Sequence, residues 1–150
     1  MPTTNADTFK ATLQQIEQSK DPAAMVALFH DDAAVDTPAH ERKLSGREAI
    51  RQFWKEYLHA FGTIHSTFTT DHTIGDTSVM QWVSSGTLPN DQPIRYRGVS
   101  IVTFKGYKVM TFTAYYDSAA FLAPPPEKVA KLVAATSPAA SGLTNNEGGD

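Results

Sequence analysis

Asp36 stands in "AAVDTPAH", residues 33–40, an acid inside an apolar run just before a proline. A carboxylate held in apolar surroundings has a raised pKa and can act as a general base near neutral pH. Asp36 is therefore the candidate catalytic residue, provided a bulge near Pro38 turns it inward. His40 and Asp117 are further candidates. For Asp117, closing the last strand, the expected role is a local backbone hydrogen bond or an arginine pair. Of the five histidines, His30 and His59 fall near helix ends, where a cation is favourable. His65 and His72 lie on one predicted strand at odd spacing, which places them on opposite faces. No helical spacing of histidines and carboxylates suits a metal, so no metal is expected. The absence of cysteine excludes disulfides, thiolate catalysis and cysteine-bound metal.

Aromatic residues form a second group. Trp54 and Tyr57 fall on a predicted helix; Trp82, Tyr96 and Tyr116 fall on predicted strands. By strand parity Met80, Trp82 and Ser84 share a face. So do Tyr96, Gly98, Ser100 and Val102, and so do Phe112, Ala114 and Tyr116. Such rings fill cores by default. Facing a cavity, they also make an apolar wall with polar tips.

Helical and strand patterns supply the elements that must position these groups. Phe9, Leu13 and Ile16 make one apolar stripe, which predicts a helix over 7–19. Asp21-Pro22 opens a second, short helix with Met25, Leu28 and Phe29 on its apolar face. Residues 33–37 read as a strand, and "AHERKL" as a polar connection. Ser45 with Glu48 reads as a capping box before a helix carrying Ile50, Phe53, Trp54, Tyr57, Leu58 and Phe61. After Gly62 four strand-like segments follow, separated by turn signals at 75–76, 89–93 and Gly106. Helices first and successive strands after them predict an α+β chain with a mostly antiparallel sheet and helices on one face. Residues 123–126, "APPP", break the chain. A short helix over 127–136 and a disordered, small and polar tail are expected beyond it. The expected division is thus a domain over 1–122 and a Pro-rich break, helix and tail over 123–150.

With 150 residues the chain has the size of one domain, able to bury a sizeable core without staples. Thirteen basic and sixteen acidic residues give a net charge of -3. That balance gives no electrostatic reason to expect nucleic acid or a membrane surface as partner. No signal peptide or membrane-length apolar run is visible, and a cytoplasmic protein is expected.

Three stretches resemble the SnoaL-like group of the nuclear-transport-factor-2-like superfamily. "DPAAMVALFHDDAAVDTP" is similar to that family's short helix and first strand. "LSGREAIRQFW" is similar to its third helix, and "YRGVSIVTFKGYKVMTFTAYYD" to its last hairpin. The resemblance covers roughly residues 8–121 and implies a curved sheet forming a cone, closed by the N-terminal helices around an apolar pocket.

The resemblance places the aromatic rows toward that pocket. The implied ligand-binding residues are Thr37, Trp54, Tyr57, Trp82, Ser84, Tyr96, Ser100, Ala114 and Tyr116. That lining suits a small apolar molecule of polyketide, steroid or terpenoid type, held by one or two hydrogen bonds.

Two chemistries of the fold are not matched. A ketosteroid isomerase has its base Asp directly before the Pro of the first strand, a Tyr on the first helix and an acid on a later strand. Here those positions hold Thr37, Leu13 and Ser100, and Asp36 is one residue early, which faces it the other way. A limonene-epoxide hydrolase needs an Arg and two Asp where this chain has Trp82, Ser84 and Ala114. A SnoaL-type cyclase needs only one acid/base group in an apolar pocket and no cofactor, and that reading survives. The alternative is a non-catalytic ligand-binding or protein-interaction module. The opposite sheet face, with Gln81, Val83, Arg95, Arg97, Val99, Ile101 and Val109, implies burial by a partner, and the resemblance implies a homodimer.

Overall fold

The computed structural model describes residues 3–38 and 41–122. His40, the helix expected over 127–136 and the expected disordered tail lie outside the described residues. The chain divides into two units, Met1–Ala120 and Phe121–Asp150, and the fold below is that of the first.

Helix α1, Asn5–Ser19, opens on a capping box. Thr4 Oγ1 accepts from the Asp7 amide at 3.0 Å while Asp7 accepts from the Thr4 amide at 3.3 Å. The two side chains thereby satisfy donors that a helix start leaves orphaned. Lys20, in the left-handed region at φ 65°, ends the helix. Ala6, Phe9, Leu13 and Ile16 are its buried stripe, and Glu17 is buried with them. Helix α2, Ala23–Leu28, follows; Asp21 accepts from the Ala23 amide at 2.9 Å, and Pro22 is the cap residue.

Helix α3, Arg47–His59, does not begin as the sequence pattern predicts. Its cap is Gly46, at φ 90° and without a side-chain cap bond. Ser45 instead ends a short strand, β2 (Arg42–Ser45), paired with Ala34 of β1 (Phe29–Thr37). The segment read as a polar connection is thus partly a strand. The turn out of it needs a positive φ, which glycine adopts at little cost.

Strands β3 (Thr63–Ile74), β4 (Thr77–Thr87), β5 (Pro93–Lys105) and β6 (Lys108–Tyr116) fall where the pattern predicts. All six form one open mixed sheet in the order β2-β1-β6-β5-β4-β3. The β1–β6 pair is parallel and the others are antiparallel. The α+β class and the mostly antiparallel sheet hold.

The three helices and one sheet face enclose the core. From the sheet it takes Val35, Met80, Val102, Phe104, Val109 and Phe112. Two bulges correct the predicted parity. A register shift between Thr103 and Phe104 pairs Phe104 with Val109 and brings Val109 into the core rather than onto the outer face. A shift between Phe68 and Thr70 restores His65 and His72 to one face, where both are exposed. An extra residue on one strand inverts every alternation beyond it. The two histidines still stand about 20 Å apart along the strand, and no group of metal-ligating side chains occurs among the described residues.

Candidate functional site

Three cross-strand rows build the inner face. Ser66, Ser84 and Tyr96 pair across β3, β4 and β5. Phe68, Trp82, Gly98 and Tyr116 form the next row, and Met80, Ser100 and Ala114 the one after. Gly98 leaves room that the Trp82 ring occupies: an added Cβ would lie 2.6 Å from Trp82 Cζ2 and 2.4 Å from the Tyr115 carbonyl oxygen. Laid across the sheet, Trp82 donates from Nε1 to Ser100 Oγ at 2.9 Å. Rings continue from there. Tyr96 meets Trp82 and Tyr116 edge-on and stacks on Phe61, Phe61 meets Tyr57, and Tyr57 meets Trp54.

Glu17 lies at the centre of the polar end of this wall. It is the one buried carboxylate among the described residues, 2% exposed. Its Oε1 accepts from the Ser66 amide at 2.8 Å. Its Oε2 accepts from Ser66 Oγ and from the Tyr57 hydroxyl, each at 2.6 Å. Ser66 Oγ lies 2.6 Å from Ser84 Oγ, and the Tyr96 phenol interacts with Tyr57 and Ser84. One hydrogen-bonded chain therefore joins α1, α3, β3, β4 and β5.

Position in the sheet explains why an acid is held there. β3 is an edge strand, so alternate backbone groups lack a neighbouring strand. At Ser66 both are met from α1: Glu17 accepts from the amide, and Gln14 Nε2 donates to the carbonyl at 2.9 Å. Lys10 pairs with Asp71 farther along the same edge.

Burial pushes the Tyr57 phenol well up from its ordinary pKa, reinforced by the nearby Tyr96 and Glu17. Burial likewise pushes Tyr96 up, and Glu17 and Tyr116 add to it. Tyr116 is raised by burial alone. All three are thus neutral hydroxyls at physiological pH, able to donate. A carboxylate has about four acceptor sites, and protein donors engage three of them on Glu17. The fourth acceptor site of Glu17 has no donor among the described hydrogen bonds, and the neutral phenols of Tyr57 and Tyr96 lie beside it.

Most residues predicted to bind a ligand come together here. Trp54, Trp82, Ser84, Tyr96, Ser100 and Ala114 are buried, as is Thr37, while Tyr57 and Tyr116 are half-buried. Asp36 is not among them. It alternates with buried Val35 and Thr37 and is paired with Lys43 and Thr113. It therefore faces the outer side of the sheet. The irregularity in β1 lies between Phe29 and Ala34, upstream of Asp36, rather than at Pro38. Asp117 is exposed and accepts from the Ala119 amide at 3.1 Å, the local backbone role expected of it.

Glu17 and Ser66 are the site residues that the sequence pattern missed. A signal was present: Glu17 stands four residues after Leu13 and eight after Phe9, on the apolar stripe itself. A surface groove lined by Ala11, Gln14, Gln15, Gln18, Ile64 and His65 meets the site through Gln14 alone, which donates to the Ser66 carbonyl.

The SnoaL-like domain model matches residues 10–111, more than half of the chain. The chain belongs to the SnoaL-like domain family. No curated protein matches it. Several solved structures share the fold of this SnoaL-like chain. A putative SnoaL-like polyketide cyclase from Jannaschia sp. CCS1 is 16% identical with a TM-score of 0.68, covering 83% of this chain and 97% of its own. TerC, co-crystallised with polyporic acid, is 16% identical at TM-score 0.67, covering 78% and 94%. A hypothetical protein of ketosteroid isomerase-like fold from Catenulispora acidiphila DSM 44928, in complex with trimethylamine, is 19% identical at TM-score 0.68, covering 75% and 87%. At these identities the likeness concerns the fold.

Proposed function

We propose that this SnoaL-like protein binds a small apolar carbonyl compound against its aromatic inner face and enolises it without a cofactor, and that it works as a homodimer. The observation carrying the reading is Glu17, a buried carboxylate hydrogen-bonded to a phenol at the end of an aromatic wall. In the reaction Glu17 takes a proton from the carbon next to the carbonyl. The C–H pair becomes the new C=C bond, and the charge passing to oxygen meets the hydroxyl of Tyr96. Return of the proton at another carbon isomerises the compound; attack of the enolate on a second carbonyl closes a ring. The polyketide cyclase and the polyporic acid complex among its structural relatives support the ligand class.

A second reading rests on the saturation of Glu17 by three protein donors. Here the carboxylate is a clamp holding α1 to the edge of the sheet, and the protein binds its ligand without chemistry.

Proton exchange next to the carbonyl of 2-tetralone, followed by NMR in D2O, separates the two. Enolisation predicts that the wild type accelerates exchange and that Glu17→Gln loses about a hundred- to ten-thousand-fold of it. Circular dichroism and thermal unfolding of the variant establish that it folds. Tyr57→Phe, which keeps the acid, serves if it does not. Undiminished exchange in folded Glu17→Gln leaves only the clamp. No acceleration by the wild type ends the enolisation reading.

A further inference from the structure

The two buried tryptophans, Trp54 on α3 and Trp82 on β4, differ in one respect. Trp82 has a partner for its indole N–H in Ser100. Trp54 has none among the described residues: its Nε1 is buried, the residue is 2% exposed, and no described group accepts from it. Buried donors are almost always paired, and an unpaired one costs free energy because water has been removed with nothing in its place. Packing does not supply the acceptor. Rings of Phe53, Phe112, Tyr57 and Phe29 surround Trp54 at centroid distances of 5.0, 5.3, 5.7 and 6.0 Å. These edge-on and tilted ring contacts hold the indole and offer it no oxygen or nitrogen acceptor, and the Tyr57 hydroxyl is committed to Glu17.

We propose that the Trp54 indole N–H is the anchoring donor for the oxygen of a neutral, flat carbonyl compound, a cyclic ketone or quinone. The inference rests on the ligand-binding half of the function proposed above and is independent of its acid/base half. Three features define the class. An indole N–H donates only, so the ligand atom must be an acceptor. No lysine or arginine is buried among the described residues, and Glu17 is, so a carboxylate or phosphate would lose its water without gaining a cation. The encircling rings favour a ligand with flat apolar faces. An oxygen held at Trp54 stands one ring from Tyr57, the residue that links α3 to Glu17.

The test compares 2-tetralone with tetralin, the same ring skeleton without the oxygen. Calorimetry on the wild type should give the ketone about a tenfold advantage, the scale of one net hydrogen bond. Trp54→Phe should bring the two affinities together. A measurement on the unaltered protein guards against a variant that does not fold. In the 15N-labelled wild type, 2-tetralone should shift the Trp54 indole N–H resonance and tetralin should not. A preference that survives Trp54→Phe, an indole resonance indifferent to the ketone, or failure of both probes to bind the wild type overturns the proposal. If ketone preference holds while Glu17-dependent exchange is absent, the anchor stands and the enolisation reading falls.

Discussion

At the scale of single residues, burial decides which groups can carry charge. Tyr57, Tyr96 and Tyr116 are held above the ordinary phenol value, about 10, with desolvation the leading cause for each. A raised folded-state value means that the native protein keeps its proton more tightly than the unfolded chain does. The resulting stability is fully present below pH 10 and is lost as pH rises through the raised values. In a spectrophotometric titration, the phenolate signal of these three residues should therefore lag behind that of the guanidinium-unfolded chain and appear together with unfolding. Tyr96→Phe should move the alkaline unfolding midpoint upward, since it removes a group whose ionisation drives unfolding. Early phenolate with the fold intact would contradict the burial that defines the site. The same physics explains what was legible. Rings at period-two positions share a face of their own strand whatever their role, so spacing grouped Trp82, Tyr96 and Tyr116 with their row neighbours, and the family resemblance turned those rows inward. Glu17 looks like any charged helix residue until the edge of β3 is known to lie beside it, and that contact spans 49 residues of sequence.

At the scale of elements, local signals succeeded where the chain decides by itself. The apolar stripe of α1 and the four long strands needed only periodicity and turn residues. What failed depended on partners distant in sequence: the parallel β1–β6 pairing, the short β2, and the cap of α3. The last is open to measurement. Ser45 and Glu48 have capping-box spacing, yet Ser45 pairs with Ala34 and the helix is capped by Gly46 without a side chain. At Thr4 both bonds of the box are formed. Thr4→Ala should thus cost about 1 kcal/mol of stability in chemical denaturation, whereas Ser45→Ala stays within about 0.5 kcal/mol, as for surface changes that break no cap. Equal losses at the two sites would restore the capping box at Ser45. Gly46 is the sensitive position instead, because a side chain at φ 90° is strained even with open space around it.

At the scale of the whole molecule, the helices pack on one face of the sheet, and the proposed homodimer concerns the other. Val79, Ile101 and Thr113 form one cross-strand row there, and Gln81, Val99 and Tyr115 the next. This centre is β-branched and half-buried, and Tyr115 is 51% exposed. Charges stand around it. Asp36 lies beside Thr113, and Arg97 lies beside Val83, four residues along β5 from Ile101 or about 13 Å. A two-fold contact sets the same patch against itself, so an acid on one side and a base on the other can meet across it. That geometry gives Asp36 a use on the face it actually occupies. Sedimentation equilibrium at micromolar concentration should give twice the 16.4 kDa of the chain. Ile101→Glu, which puts a charge at the centre of the proposed contact on each chain, should give the single-chain mass without loss of fold. Asp36→Arg and Arg97→Asp should each weaken association and together restore it, an outcome that packing alone does not produce. A wild type that sediments as one chain would leave the outer face to solvent or to another protein, and Asp36 as a surface carboxylate.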